Sequence, residues 1–236
     1  MPPRPTKPPA PRTIKVTVGI DEAGRGPALG PMVMAVVALD TRAAATLSRA
    51  GLTDSKSYGS DDDARARRSE LATRVRACAA FVALEEVSVD EIDRRVARNE
   101  LNVLEREVAL RLLDGAPVAH RIIADGRRMF APLCARIPNL EARDEAESHH
   151  AAVAAASVIA KVRRDQRWDE IRSRYTDEFG EILGGGYVND GTRRFMRAYA
   201  ERYRALPPEA RRSWPHPYVH DIIGDQRPPG PQMSLL

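Results

Sequence analysis

The chain has 236 residues, 43% of them hydrophobic and 30% charged, and carries a formal net charge of +4. That size fits one domain, or one domain with an appended subdomain, and no apolar run approaches the roughly 20 residues of a membrane span. Arg4, Lys7 and Arg12 carry three of the net positive charges, so residues 14–236 stand near +1; a generic polyanion binder is excluded, and any nucleic-acid surface must be a local patch.

Residues 1–13 hold six prolines and read as a disordered or extended tail. Their basic residues precede no apolar stretch, so they are not a secretory signal, and the chain is expected in the cytoplasm. Cys78 and Cys134 each lie in an apolar neighbourhood and are expected as two buried thiols. The first strand is predicted from Ile14, where Ile14, Val16, Val18 and Ile20 alternate with Lys15, Thr17 and Gly19; Asp21 is expected at its end. On an unbroken strand Asp21 and Glu22 face opposite sides, so a shared ligand is expected to require a break in the extended chain, with Gly24, Gly26 and Gly30 supplying the freedom.

Residues 33–39 form a continuous apolar run, read as a strand covered on both faces and able to pair with the first as an antiparallel hairpin. Ser60 with Asp63 opens a predicted helix to about residue 77, and a strand follows over 79–87. Ser88 with Glu91 opens a second helical stretch to residue 114, expected to break near Asn99. Residues 120–124 read as a short strand. A long helical stretch is predicted over 145–179, its alanines between 151 and 156 permitting close packing on the sheet. Gly184, Gly185 and Gly186 stop it, and Asn189 or Asp190 caps a last helix to about residue 204. Seven prolines from Pro207 to Pro231 predict an irregular end. Strands alternating with helices, plus one hairpin, make a mixed α/β sheet the expected core.

Two predicted strands, ending at Ile20 and Ala124, each run into an aspartate with a glycine close behind. Ligands of open α/β sheets gather at the carboxyl ends of strands, so Asp21 and Asp125 meet there if the two strands are neighbours. A hard oxygen set without cysteine or paired histidine selects magnesium or manganese over zinc. Carboxylates beside an arginine and lysines suit metal-assisted cleavage of a phosphodiester, and no Gly-x-x-x-x-Gly-Lys loop is present for nucleotide phosphates. Only four of the 37 basic residues are lysine, and Lys56 and Lys161 lie in motif-like segments where a compact ammonium suits a phosphate.

The sequence Asp-Glu-Ala-Gly-Arg-Gly-Pro at 21–27, Asp54-Ser55-Lys56, Asp125-Gly126, Ala-Ala-Ala-Ser-Val-Ile-Ala-Lys at 154–161 and Gly-Gly-Tyr-Val-Asn-Asp at 185–190 together resemble ribonuclease HII. The resemblance implies an α/β, ribonuclease-H-like mixed central sheet flanked by helices, with a helical C-terminal region. It divides the chain into the tail 1–13, a catalytic domain 14–206 and a proline-rich segment 207–236. It implies an endoribonuclease that cuts the RNA strand of RNA/DNA hybrids and incises 5′ of single ribonucleotides in duplex DNA, with Mg2+ or Mn2+. Asp21, Glu22 and Asp125 match three of its four metal-binding carboxylates. Gly24, Arg25 and Gly26 match the loop that senses the ribose 2′-hydroxyl through backbone groups, Tyr187 the tyrosine that stacks at the ribose, and Lys56 a phosphate contact. Ser157 and Lys161, one helical turn apart, are expected to face the nucleic-acid backbone. Apart from the resemblance, the terminal Pro-Gln-Met-Ser-Leu-Leu reads as a short docking peptide for a sliding clamp, and a monomer without membrane contact is expected.

One position departs from the pattern. The family's fourth aspartate falls six residues before Val153, where this chain has Glu147, one methylene longer. Asp144 and Glu145 are nearby substitutes that do not keep the spacing, and His149 and His150 read as helix-surface residues. The alternative function is a catalytically impaired protein that binds RNA/DNA hybrids.

Overall fold

The computed structural model describes residues 15–53, 59 and 61–227. A five-stranded sheet in the order β3-β2-β1-β4-β5 forms its centre, with β1 Val16–Ala23, β2 Met32–Asp40, β3 Phe81–Val87, β4 Arg121–Asp125 and β5 Leu140–Arg143. β1 pairs antiparallel with β2 and parallel with β4, so the sheet is mixed and the two aspartate-bearing strands are neighbours. Every residue of β2 from Met32 to Leu39 is buried, as a strand covered on both faces must be.

The helices are α1 Thr41–Arg49, α2 Asp62–Cys78, α3 Val89–Val96, α4 Leu101–Asp114, α5 Arg127–Cys134, α6 Ala151–Phe179, α7 Asp190–Tyr203 and α8 His220–Ile223. Val18 and Ile20 of β1 pack with Leu104, Val108, Phe130 and Leu133 of α4 and α5 on one face of the sheet. Val33, Ala35 and Val37 pack with α1, α2 and the alanines of α6 on the other. α6 lies so close on β1 that a Cβ at Gly19 would fall 2.1 Å from the Ala152 carbonyl carbon. The alanine run and Gly19 are thus two halves of one contact. A third apolar cluster joins the end of α6, α7 and residues 206–219 around Leu29.

Several boundaries differ from expectation. α2 is capped by Asp61, whose carboxylate accepts from the Ala64 amide at 2.8 Å, while Ser60 lies outside the described residues. The predicted break is real: Asn99 takes φ 58° between α3 and α4. The stretch from 145 is not continuous helix. Glu145 is left-handed at φ 55°, residues Ala146–Ser148 make one 3₁₀ turn, and α6 begins only at Ala151. α1, α5 and β5 carry signals too short for pattern reading, and Pro132 inside α5 masks its helical period. Cys78 and Cys134 are free thiols but only half-buried, each being the last residue of its helix at the border of the core. Among the described residues no helix is long and apolar enough to cross a membrane.

Candidate active site

β1 does not end at Ile20. It runs on through Asp21, Glu22 and Ala23, still paired with β2 in the register Asp21↔Ala35 and Glu22↔Met34. No break is needed, because the parallel pairing with β4 stops at Ile20↔Ala124 and leaves the next residues at an open end. Asp21 shares the α6 side with Gly19, and Glu22 the α4 side with Val18 and Ile20. Both then border the gap into which Asp125 projects from the end of β4.

Asp21, Glu22, Asp125 and Glu147 line one open cleft of about 350 Å³, together with Gly24, Arg25, Gly26, Ser157, Lys161 and Tyr187. Lys56 and Asp54 lie outside the described residues. Asp144 and Glu145 do not reach the cleft; Asp144 accepts the Arg127 amide at 2.8 Å at the start of α5. His149 and His150 border a separate hollow with Arg143 and Glu141. Asp125 is fixed by the amide of Ala146 at 2.8 Å, which ties β4 to the turn that presents the buried Glu147.

The electrostatics follow from crowding acids where water is scarce. Burial first, then the charges of Asp125 and Glu147, push the Asp21 carboxyl up to about 8, against hydrogen bonds from Ser157 and from the Glu22 amide at 2.8 Å. Glu22 is raised well above the usual carboxylate range by burial, Asp21 and Glu105. Its Oε2 is buried with no hydrogen-bond partner among the described residues. Among those residues no three His, Cys, Asp or Glu side chains are already drawn together as a closed ligand set. The carboxylates stand apart around a shared space, and a divalent cation there would remove the repulsion that raises them. An all-oxygen donor set of this kind fits Mg2+ or Mn2+.

Other side chains do different work from the expected. The Ser157 hydroxyl bonds Asp21, and Lys161 reaches Asp165 at 2.6 Å. The Arg25 side chain turns to α4, bonding Glu105 at 2.7 Å and Asn102 at 2.7 Å, so only its backbone is left to the cleft. Gly24 and Gly30 take positive φ (83° and 84°), and a Cβ on Gly24 would press 2.8 Å from Arg164. Gly26 does not take positive φ, and a Cβ there would meet the half-exposed Tyr187 ring at an ordinary contact of 3.7 Å. Arg68, Arg164 and Asp165 also line the cleft. Among 33 arginines nothing in the spacing marks these out.

The sequence profile of the ribonuclease HII family matches residues 18–216. Ribonuclease HII of Pyrococcus furiosus is 34% identical over 205 residues, covering 83% of this chain and 87% of that protein. The crystal structure of ribonuclease H2 from Pyrococcus horikoshii OT3 superposes with a TM-score of 0.74 at 27% identity, over 91% of this chain and all of that one. The structure of the PCNA:RNase HII complex from Archaeoglobus fulgidus matches with a TM-score of 0.67 at 29% identity, over 85% of this chain and 95% of that one.

Proposed function

This chain belongs to the ribonuclease HII family and is a type 2 ribonuclease H, an endoribonuclease of RNA/DNA hybrids; from that premise we propose that it also incises 5′ of single ribonucleotides embedded in duplex DNA, leaving 3′-hydroxyl and 5′-phosphate ends. The observation that carries this reading is the junction in one cleft of Asp21, Glu22, Asp125 and Glu147 with a glycine-bounded loop, its backbone exposed, and a half-exposed tyrosine. The 2′-hydroxyl separates RNA from DNA, and a loop that approaches through its backbone is suited to feel it.

Asp21, Glu22, Asp125 and Glu147 are the residues that would hold Mg2+ or Mn2+. Bound there, the ions would activate water and stabilise the leaving oxygen. The protein's own part is positional: Ser157 fixes one face of Asp21, the Ala146 amide fixes Asp125, and Lys161, Arg68 and Arg164 supply positive charge along the wall. Tyr187 offers its ring to the sugar beside Gly26. Lys56 is assigned a phosphate contact from the family pattern alone.

We further propose that the enzyme acts in the cytoplasm as a monomer. A sliding clamp is its partner through the terminal residues 231–236, which lie outside the described part; the Archaeoglobus relative's complex with PCNA supports this. The deciding assay is incision of a duplex carrying one ribonucleotide, with Mg2+ and Mn2+ in turn. Cutting 5′ of the ribonucleotide by the wild type and none by Asp21→Asn is expected. Binding without cutting under either ion would overturn the reading in favour of a hybrid-binding protein.

A further inference from the structure

Arg211 is fully buried and, among the described residues, forms no ion pair. Its guanidinium instead donates to three backbone carbonyls of the loop after β1: Nε to Gly30 at 3.0 Å, Nη1 to Arg25 at 2.7 Å, and Nη2 to Gly24. Trp214, whose ring lies 5.0 Å from the same guanidinium, donates its indole N–H to the Gly26 carbonyl at 3.2 Å. A second buried cation, Arg164, sits close by on the Leu29 carbonyl at 2.8 Å. Two buried like charges without carboxylate partners destabilise the fold unless the carbonyls they hold matter.

The consequence is stereochemical. In a planar trans peptide the carbonyl of one residue and the amide of the next point in opposite directions. Holding the Gly24 and Arg25 carbonyls inward on Arg211 therefore turns the amides of Arg25 and Gly26 away from it. Both residues line the cleft, and neither amide has a hydrogen-bond partner among the described residues. After Gly26 comes Pro27, which has no amide to orient.

We infer that Arg211, assisted by Trp214, is a specificity-determining positioning residue: it aims the Arg25 and Gly26 amides into the cleft as paired donors for the ribose 2′-oxygen. The inference rests on the proposed ribonucleotide recognition and adds the group that enforces it. Lysine cannot replace this arginine, because a single ammonium cannot span three carbonyls in the plane of a fork.

The test is equilibrium binding by fluorescence anisotropy, with full-length protein in an Asp21→Asn background that does not cut, and Mg2+ present. Two duplexes are compared, identical except for one ribonucleotide. The background protein is expected to prefer the ribonucleotide duplex about tenfold or more, the worth of one to two hydrogen bonds. Adding Arg211→Lys should bring the two affinities within about twofold of each other while leaving the all-DNA affinity unchanged, since that rests on phosphate contacts. Trp214→Phe, which keeps the ring over Arg211 but loses the N–H, should lower the preference by a few fold. It decides the matter if Arg211→Lys does not fold. An unchanged preference in the folded variants overturns the inference alone, as does an equal loss of affinity for both duplexes. Absence of any preference in the background protein overturns the inference together with the ribonucleotide reading beneath it.

Discussion

At the scale of single residues, Glu147 completes the group of carboxylates around the cleft, and the structure gives it a support different from theirs. It issues from a 3₁₀ turn opened by the left-handed Glu145, is buried, and acts on Asp21 strongly enough to raise it. Glu147→Ala should lower single-turnover incision by about 100-fold, the scale expected when a reacting geometry is lost. Glu147→Asp should keep activity but change the ratio of Mg2+- to Mn2+-supported rates, because the carboxylate is withdrawn by about one methylene. Equal rates for wild type and Glu147→Ala would remove the residue from the site. Asp21 and Asp125 were legible because each follows the apolar run of a predicted strand, whereas Glu147 was reached only through the resemblance to the family pattern. Arg211 and Glu105 were not, since their meaning depends on which carbonyl or side chain the fold brings to them.

At the scale of elements, the contact between β1 and α6 carries the site. Gly19 and Ala152 let backbone meet backbone, and two residues on from Gly19 the same face of β1 presents Asp21 to Ser157 of α6. Gly19→Ala should destabilise the protein by about 3 kcal/mol, seen as a lowered Tm, since overpacked backbone has no rotamer with which to yield. Incision should fall with it at temperatures where the variant is still folded. Long elements were readable: β1 and α4 by their period, β2 by its unbroken apolar run, and most of α6 by its alanine-rich composition. β5 was not, because four residues of mixed polarity owe their pairing to neighbours such as Arg121, whose side chain meets Glu141 at 2.7 Å. Nor was the turn at 145–150 visible, since helical composition continues through it.

At the scale of the whole molecule, the buried acids link stability to pH. The folded Asp21 keeps its proton up to about 8 where the unfolded chain releases it near 3.8, so the native state binds more protons across that interval and loses stability as pH rises through it. Without divalent ions, Tm should therefore fall between about pH 5 and about pH 8. Mg2+ or Mn2+ should restore it at the upper pH and do little at the lower one. A metal-free Tm that rises over this range would contradict the assignment. Truncation after Leu206 should leave a protein that no longer discriminates a ribonucleotide duplex from all-DNA, measured by the binding ratio above.

The three carbonyls that Arg211 holds lie 181, 186 and 187 positions earlier in sequence. During translation the acidic strands emerge first, while the clamp on the loop after β1 cannot form until residue 211 has left the ribosome. By the inference above, selectivity for ribose is therefore acquired only after the acids of the cleft have been made.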